Sequence, residues 1–307
     1  YGDHRDLHLS LRRQRQMCIR DSFNISGGDS WVGRLDGIRE VLAGDAYRPL
    51  RSESCPDYQI PDGPYAFVDI WDPVADWELQ NVYGHLSDAT RLEVDKKALE
   101  DLRTFLLARL CQIAEQPLWE QFSLARGHGA TLLAQLGIDG DGTGHPTRDI
   151  YRAFVFNQRS EGVGKLLETY PVLGRLLCTA LELWNKSSKE MLERIAKDRN
   201  LLLKHFQIDK AAILTGAHPG LGDPHRGGRT VTLLEFTHSG DRMCVVYKPK
   251  DMRLDAVYQS TVKELNGEHG LSMLRTLTVL PRDGYGYMEY VDHRLCANDS
   301  CLLYTSP

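Results

Sequence analysis

The chain has 307 residues, of which 42% are apolar and 26% charged, so it can bury a sizeable core in one or two globular domains. No apolar run approaches the roughly 20 residues of a membrane-spanning helix, and we expect no membrane span. The net charge of -5 argues against a nucleic acid as partner, because binding to a phosphate backbone uses clustered Lys and Arg.

Two terminal segments do not read as natural protein. Arg12 to Ser22 and Cys301 to Pro307 resemble translated adapter sequence from shotgun libraries. We therefore predict that residues 1–22 are disordered or adapter-derived, that 301–307 is an adapter-derived tail, and that the natural gene continues past at least one end. Leaving out Arg12 to Ser22, with its four arginines and one aspartate, changes the net charge to -8.

The cysteines predict no disulfide framework and no zinc site. Cys18 and Cys301 fall in the adapter-like segments, and the others are scattered without CxxC spacing. We expect reduced, buried structural thiols in a cytoplasmic protein. These five are Cys55, Cys111, Cys178, Cys244 and Cys296.

Residues 23–210 are predicted to form a helical region. The stripe of leucines in Lys96 to Ile113 is typical of a helix with one buried face, and Pro117 is predicted to end it. Pro171 is predicted to break a later helix. The further predicted helices are Leu118 to Leu136, Arg148 to Phe156, Gly162 to Trp184 and Ser188 to Phe206.

Residues 211–300 are predicted to form a small antiparallel sheet with one helix. Thr230 to Phe236 and Met243 to Tyr247 are rich in β-branched and aromatic residues, with turn residues between them, which favours a hairpin. A helix follows, with Leu254, Val257, Val262 and Leu265 on one side, and then the strands Ser272 to Leu280 and Tyr285 to Val291. The predicted fold class is α+β.

Lys248 lies at the end of a predicted strand. A hairpin, a strand ending in lysine, a helix and two more strands follow one another in the small lobe of a kinase, where the lysine contacts ATP phosphates. A helix carboxylate can hold such a lysine, and Asp255 or Glu264 could do so, although a solvated helix face suits either better. The alternative for Lys248 is a solvent-exposed strand end.

The segment Leu221 to Val231 contains glycines that allow close approach to a ligand. Asp223 and His225, two apart in an extended segment, would point the same way. A carboxylate beside an imidazole suits proton transfer, because it orients the ring and raises its basicity. A turn-stabilising aspartate and a surface histidine remain the alternative.

Taken together, these motifs resemble the dehydratase motifs of class II lanthipeptide synthetases (the LanM family). The resemblance covers roughly residues 90 to 298, and its most specific part is the Asp-x-His-x-x-Gly-Arg motif with the later lysine. Its segments are Gly222 to Val231, Tyr247-Lys248-Pro249, Tyr285 to Glu289, and, upstream, Tyr170 to Leu177 with the helix to Asp198.

The resemblance implies a lipid-kinase-like fold that uses ATP and Mg²⁺ to phosphorylate Ser and Thr of a precursor peptide with a leader. Phosphate is then eliminated to leave dehydroalanine or dehydrobutyrine. The chain is thus expected to be an incomplete, N-terminal part of the dehydratase domain. By the same resemblance Lys248 contacts ATP phosphate, Asp223 and His225 serve elimination, and Arg229 either neutralises phosphate or has a structural role.

The family's metal-binding carboxylates lie beyond this sequence, so we expect no metal ligands here and no activity of this chain alone. The family also usually has Arg at the position of Lys250 and Trp at that of Tyr287. Two alternatives stay open: a kinase-like phosphotransferase without elimination, and a non-catalytic module that binds the leader peptide.

Two apparent motifs are rejected. Asp139 to Gly144 opens like an EF-hand loop, but Ile150 stands where the bidentate glutamate is needed, and a solvated loop is predicted instead. Gly162 to Lys165 has part of a P-loop pattern, but Arg159 stands at the first glycine position, and a helix is predicted.

Overall fold

The computed structural model describes residues 30–44, 65–135, 146–225, 227–269 and 274–292. Within these ranges helices extend up to His205, and a five-stranded antiparallel sheet with one further helix follows. The predicted α+β class is confirmed. The predictions for both adapter-like ends, for Cys55 and Cys296, and for the loop Asp139 to Gly144 lie outside the described residues.

The helices before the sheet share one hydrophobic core. A π-helical turn, Gln158–Gly162, joins two of them. In chain order they are α1 (Ser30–Gly44), α2 (Val68–Gly84), α3 (Asp88–Leu92), α4 (Lys96–Gln135), α5 (Pro146–Asn157), α6 (Val163–Thr169) and α7 (Pro171–His205). No helix among the described residues is both long and apolar enough to cross a membrane.

The predicted end of a helix at Pro117 is wrong, because this proline lies inside α4, which is 40 residues long. A proline inside a helix loses one backbone hydrogen bond. Leu110, Ala114 and Leu118 are all fully buried on either side of it, so both halves of α4 pack on the same core. Burial on this scale offsets the lost bond.

The predicted break at Pro171 is confirmed. Tyr170 has non-helical dihedral angles, and Pro171 begins α7, a position where its missing N–H costs nothing. The separate helix predicted from Ser188 is wrong, since α7 runs unbroken to His205. Gly162 to Lys165 is helical, as predicted.

The sheet contains one strand that the sequence did not predict, β1 (Ile213–Pro219). The others are β2 (Thr232–His238), β3 (Asp241–Lys248), β4 (Val279–Arg282) and β5 (Tyr285–Glu289). They pair in the order β1-β2-β3-β5-β4, all antiparallel, so both predicted hairpins are present. Because β1 pairs with β2, the segment between these two strands is the loop of a third hairpin.

One face of the sheet packs against the helical region, chiefly α4 and α7. Alternate residues of β2 and β3, such as Leu234, Phe236 and Val245, are buried there. The helical region and the sheet thus form layers that share a continuous core.

The helix between β3 and β4 is α8 (Arg253–His269). The predicted helix is present, and of the four apolar residues on its one side Val262 is buried, whereas Leu254, Val257 and Leu265 are exposed, Leu254 to 81%. Periodicity shows that an apolar stripe exists, and only tertiary structure decides what covers it.

Candidate functional site

The segment between β1 and β2, described at residues 220–225 and 227–231, continues the β1–β2 hairpin beyond its last strand pair. Beyond the last strand pair, the N–H of Leu221 donates to the carbonyl of Val231 at 3.2 Å. His225 and Arg229 then exchange two backbone hydrogen bonds of 2.9 and 3.0 Å. Gly227, near the tip, has a φ of +83°, which glycine adopts without strain. The glycine-containing segment is therefore a hairpin loop, here called the β1–β2 loop.

The β1–β2 loop rests on the helical region at several points. A Cβ atom at Gly228 would lie 2.8 Å from Cβ of Leu183 in α7, and one at Gly220 would lie 2.9 Å from the ring of Phe105 in α4. Nε of Arg229 donates to Oε2 of Glu190 at 2.5 Å, and this bond raises the pKa of Arg229. The structure thus gives Arg229 a structural contact, which was one of its two predicted roles.

Asp223 and His225 lie on the outgoing arm of this loop, and both are exposed. Among the described residues, neither side chain forms a hydrogen bond or ion pair with the other or with Lys248. The side chains are therefore available to solvent or to a ligand. The imidazole is not oriented by the carboxylate in this state.

Lys248 is the last residue of β3 and lies opposite Gly286 of β5. Its neighbour Tyr247 points to α7, so alternation along the strand places Lys248 on the outer face of the sheet. The only hydrogen-bonding contact of its Nζ with a described residue is Sδ of Met288, at 4.0 Å. Lys248 thus has no carboxylate partner in the part of the chain that is described.

Neither of the two candidate carboxylates from α8 holds Lys248. Oδ2 of Asp255 pairs instead with Nζ of Lys250, at 3.4 Å, and Glu264 is exposed. The prediction that both carboxylates lie on a solvated helix face is thus correct for Glu264, while Asp255 is partly buried.

The β1–β2 loop and Lys248 lie at the same end of the sheet. The loop re-enters the sheet at Thr232, which pairs with Tyr247, the residue before Lys248. The two features differ in direction, since Arg229 reaches inward to α7 and Lys248 lies on the outer face. The structure thus places Asp223, His225 and Lys248 at one end of the sheet, but not in direct contact with one another.

Sequence reasoning missed a network of charged residues on α7. Asp198 is fully buried, and its Oδ2 accepts hydrogen bonds from the hydroxyls of Tyr285 at 2.7 Å and Tyr287 at 3.3 Å. Its Oδ1 lies 2.8 Å from a guanidinium nitrogen of Arg282. One helix carboxylate therefore ties β4 and β5 to the helical region. The signal in the sequence was the four-residue spacing of Glu190, Arg194 and Asp198.

Arg194 extends this network to β3. Its NH1 donates to the hydroxyl of Tyr247 at 2.7 Å, and its guanidinium carbon lies 4.1 Å from the centre of the Tyr285 ring. Its NH2 lies 2.6 Å from Oε1 of Glu190. Burial raises the pKa of Tyr247, Tyr285 and Tyr287, which keeps their hydroxyls protonated.

The remaining residues of the Tyr285 to Glu289 motif also have structural contacts. A Cβ atom at Gly286 would lie 2.7 Å from Cγ of Met252 and 2.8 Å from a backbone oxygen of β4. Glu289 pairs with Arg275 at 2.9 Å and accepts a bond from the backbone of Thr278 at 3.1 Å. This motif therefore stabilises the sheet.

The structure describes three of the cysteines, all as free thiols. Cys111 and Cys178 are buried, and burial raises the pKa of their thiols to about 12 and about 11. Both therefore stay protonated and unreactive at neutral pH. Cys244 is partly exposed. Among the described residues, no group of three or more His, Cys, Asp or Glu side chains could hold a metal ion.

A family model described as "Domain of unknown function (DUF4135)" matches residues 170–302. This domain is found in lanthipeptide synthetase-like proteins. The match begins just before α7 and includes the sheet, the β1–β2 loop and Lys248. No curated protein matches the chain.

Proposed function

We propose that residues 23–300 form part of the dehydratase domain of a class II lanthipeptide synthetase. Such an enzyme phosphorylates Ser and Thr of a precursor peptide with ATP and then eliminates phosphate. The observation that carries the proposal is a glycine-containing hairpin loop, with Asp223 and His225 exposed on it, beside the strand end at Lys248. The family match over residues 170–302 includes all of these residues.

Lys248 supports the nucleotide-binding part of the proposal. It is partly buried at a strand end, and no described carboxylate neutralises it. Lys250, two residues further on, differs in this respect, because its Nζ pairs with Oδ2 of Asp255. An uncompensated ammonium beside a glycine loop suits an anionic ligand such as a nucleotide phosphate.

The chemistry requires two successive steps. In the first, the peptide hydroxyl oxygen forms a bond to the γ-phosphorus of ATP, its proton is removed, and ADP leaves. In the second, a base removes the α-proton of the phosphorylated residue, its electron pair forms the Cα–Cβ double bond, and the Cβ–O bond breaks to release phosphate. In the proposal, Asp223 and His225 serve this second step, as base and as the group that stabilises the leaving phosphate.

Which of the two residues removes the proton is left open in this assignment. Both are exposed on one arm of the loop, so a bound phosphopeptide could contact both. A magnesium ion would supply charge neutralisation in the first step. Among the described residues, no three His, Cys, Asp or Glu side chains come together as ligands for such an ion.

The proposal is tested with the purified product of the gene that contains these residues. ATP, magnesium and a precursor peptide with its leader are supplied, and the peptide is analysed by mass spectrometry. We expect loss of one water molecule for each modified Ser or Thr, only when ATP is present. Phosphopeptide as the final product would instead favour a phosphotransferase without elimination. Leader binding with no ATP-dependent product would favour a binding module.

A further inference from the structure

We propose that Glu190 of α7 is a positioning residue that fixes the β1–β2 loop relative to the strand that ends at Lys248. Its two carboxylate oxygens contact different elements: Oε2 accepts from Arg229 of the loop at 2.5 Å, and Oε1 pairs with Arg194 at 2.6 Å. The inference rests on the proposed function, because it concerns how that site is held together.

The link continues from Arg194 into the sheet. Arg194 donates to the hydroxyl of Tyr247, the residue immediately before Lys248. Glu190 therefore stands between the last strand residues of β3 and the return arm of the loop. One carboxylate thus links the return arm of the loop, through Arg194, to the residue beside Lys248.

The loop depends on this contact more than the strand does. β3 is held by backbone pairing on both sides, to β2 and to β5. The β1–β2 loop is held by fewer backbone pairs, those of Leu221 with Val231 and of His225 with Arg229, and by contacts with the helices that include the Arg229 ion pair. Removal of the negative charge at Glu190 should therefore loosen the loop and leave β3 in place.

Loosening the loop should slow elimination more than phosphorylation. In the proposed function Asp223 and His225 serve elimination, whereas Lys248 binds the nucleotide. A change that moves only the loop then allows phosphorylation to continue, and the phosphopeptide accumulates. A purely structural loss of folded protein would instead reduce both steps by the same factor.

The experiment compares Glu190→Gln with Glu193→Gln, a matched control on the same helix whose carboxylate is more exposed and lies 3.9 Å from Lys189. Hydrogen exchange is measured by mass spectrometry on the 307-residue chain. We expect amides of residues 221–231 to exchange about threefold to tenfold faster in Glu190→Gln, since exposed ion pairs contribute little and part-buried ones more. Exchange in β1, β2 and β3 should be unchanged, and Glu193→Gln should match the wild type.

A third variant tests whether Glu190 acts through Arg229. The effects of Glu190→Gln and Arg229→Gln on loop exchange should be less than additive in the double variant, because both changes remove the Glu190–Arg229 ion pair. In the complete gene product, the ratio of phosphopeptide to dehydrated peptide should rise in Glu190→Gln and not in Glu193→Gln.

Equal loop exchange in Glu190→Gln and Glu193→Gln would overturn the proposal, as would faster loop exchange with an unchanged product ratio. If the wild type forms neither product, the proposed function fails, and the exchange result still decides whether Glu190 holds the loop.

Discussion

Polar side chains at the two faces of the sheet differ in how many polar partners they have within the fold. On the inner face, Asp198 contacts two tyrosine hydroxyls and the guanidinium of Arg282, all within the fold. At the loop and on the outer face, Asp223 and His225 have no polar side-chain partner among the described residues, and Lys248 has only a thioether. Residues of one set of motifs thus divide into those that hold the fold and those that the proposed function assigns to ligands.

This division decides what a substitution should do. A buried charged group that loses its partners leaves other polar groups without compensation, so the cost appears as stability. An exposed group without partners can be replaced with little effect on folding, so any loss appears in binding or chemistry. The inner and outer sets can therefore be separated by measuring both quantities for each variant.

The largest effect on stability is expected for Asp198→Ala. Tyr285 and Tyr287 would lose the acceptor for their buried hydroxyls, and Arg282 would lose its anion. We expect the free energy of unfolding to fall by about 3 kcal/mol. Chemical denaturation measures this, with Glu193→Ala as the control on the same helix. A change as small as that of the control would mean that the inner network does not hold the sheet.

A smaller decrease in the free energy of unfolding is expected for Gly286→Ala. The new methyl group would meet both the side chain of Met252 and a backbone oxygen of β4, which cannot move aside easily. We expect a destabilisation of about 1 to 3 kcal/mol. Gly33→Ala in α1 controls for the added methyl group alone, since it meets nothing within 4 Å there, and it should stabilise that helix by up to about 1 kcal/mol. Equal thermal stability of the two variants would show that Met252 is not closely packed against this strand.

The smallest effect on stability is expected for Lys248→Met, combined with a loss of binding. Among the described residues its ammonium contacts only a thioether, so the free energy of unfolding should change by less than about 0.5 kcal/mol. A charged hydrogen bond to phosphate contributes about 1.5 to 3 kcal/mol, so ATP should bind about tenfold to a hundredfold more weakly. Calorimetric titration with ATP measures this, and Lys250→Met serves as control. Unchanged ATP affinity in Lys248→Met would remove Lys248 from the proposed site.

Local patterns in the sequence predicted most of the fold and failed where distant contacts decide. The hairpin of β2 and β3 and the break at Pro171 followed from residue types alone. The predicted helix end at Pro117 was wrong because buried residues on both sides of this proline keep α4 continuous. β1 was missed because its Gly216 and Pro219 have low strand propensity, and pairing with β2 compensates for it.

The candidate site was predicted as a set of residues rather than as a geometry. The sequence identified Asp223, His225 and Lys248, and the structure places all three at one end of the sheet. The spacing of Glu190, Arg194 and Asp198 alone did not single them out, because charged residues at such spacing in a helix are usually solvated. Their partners lie far away in the sequence, as with Asp198 and Tyr285, which are 87 residues apart.

The most direct test of the account is the product formed by the double variant Asp223→Asn/His225→Asn in the complete gene product. Removing both groups avoids the question of which one moves the proton. Given ATP, magnesium and the precursor peptide, the variant should accumulate phosphopeptide, with dehydration slowed at least about a hundredfold. Dehydrated peptide formed at the wild-type rate would contradict the assignment of elimination to this loop.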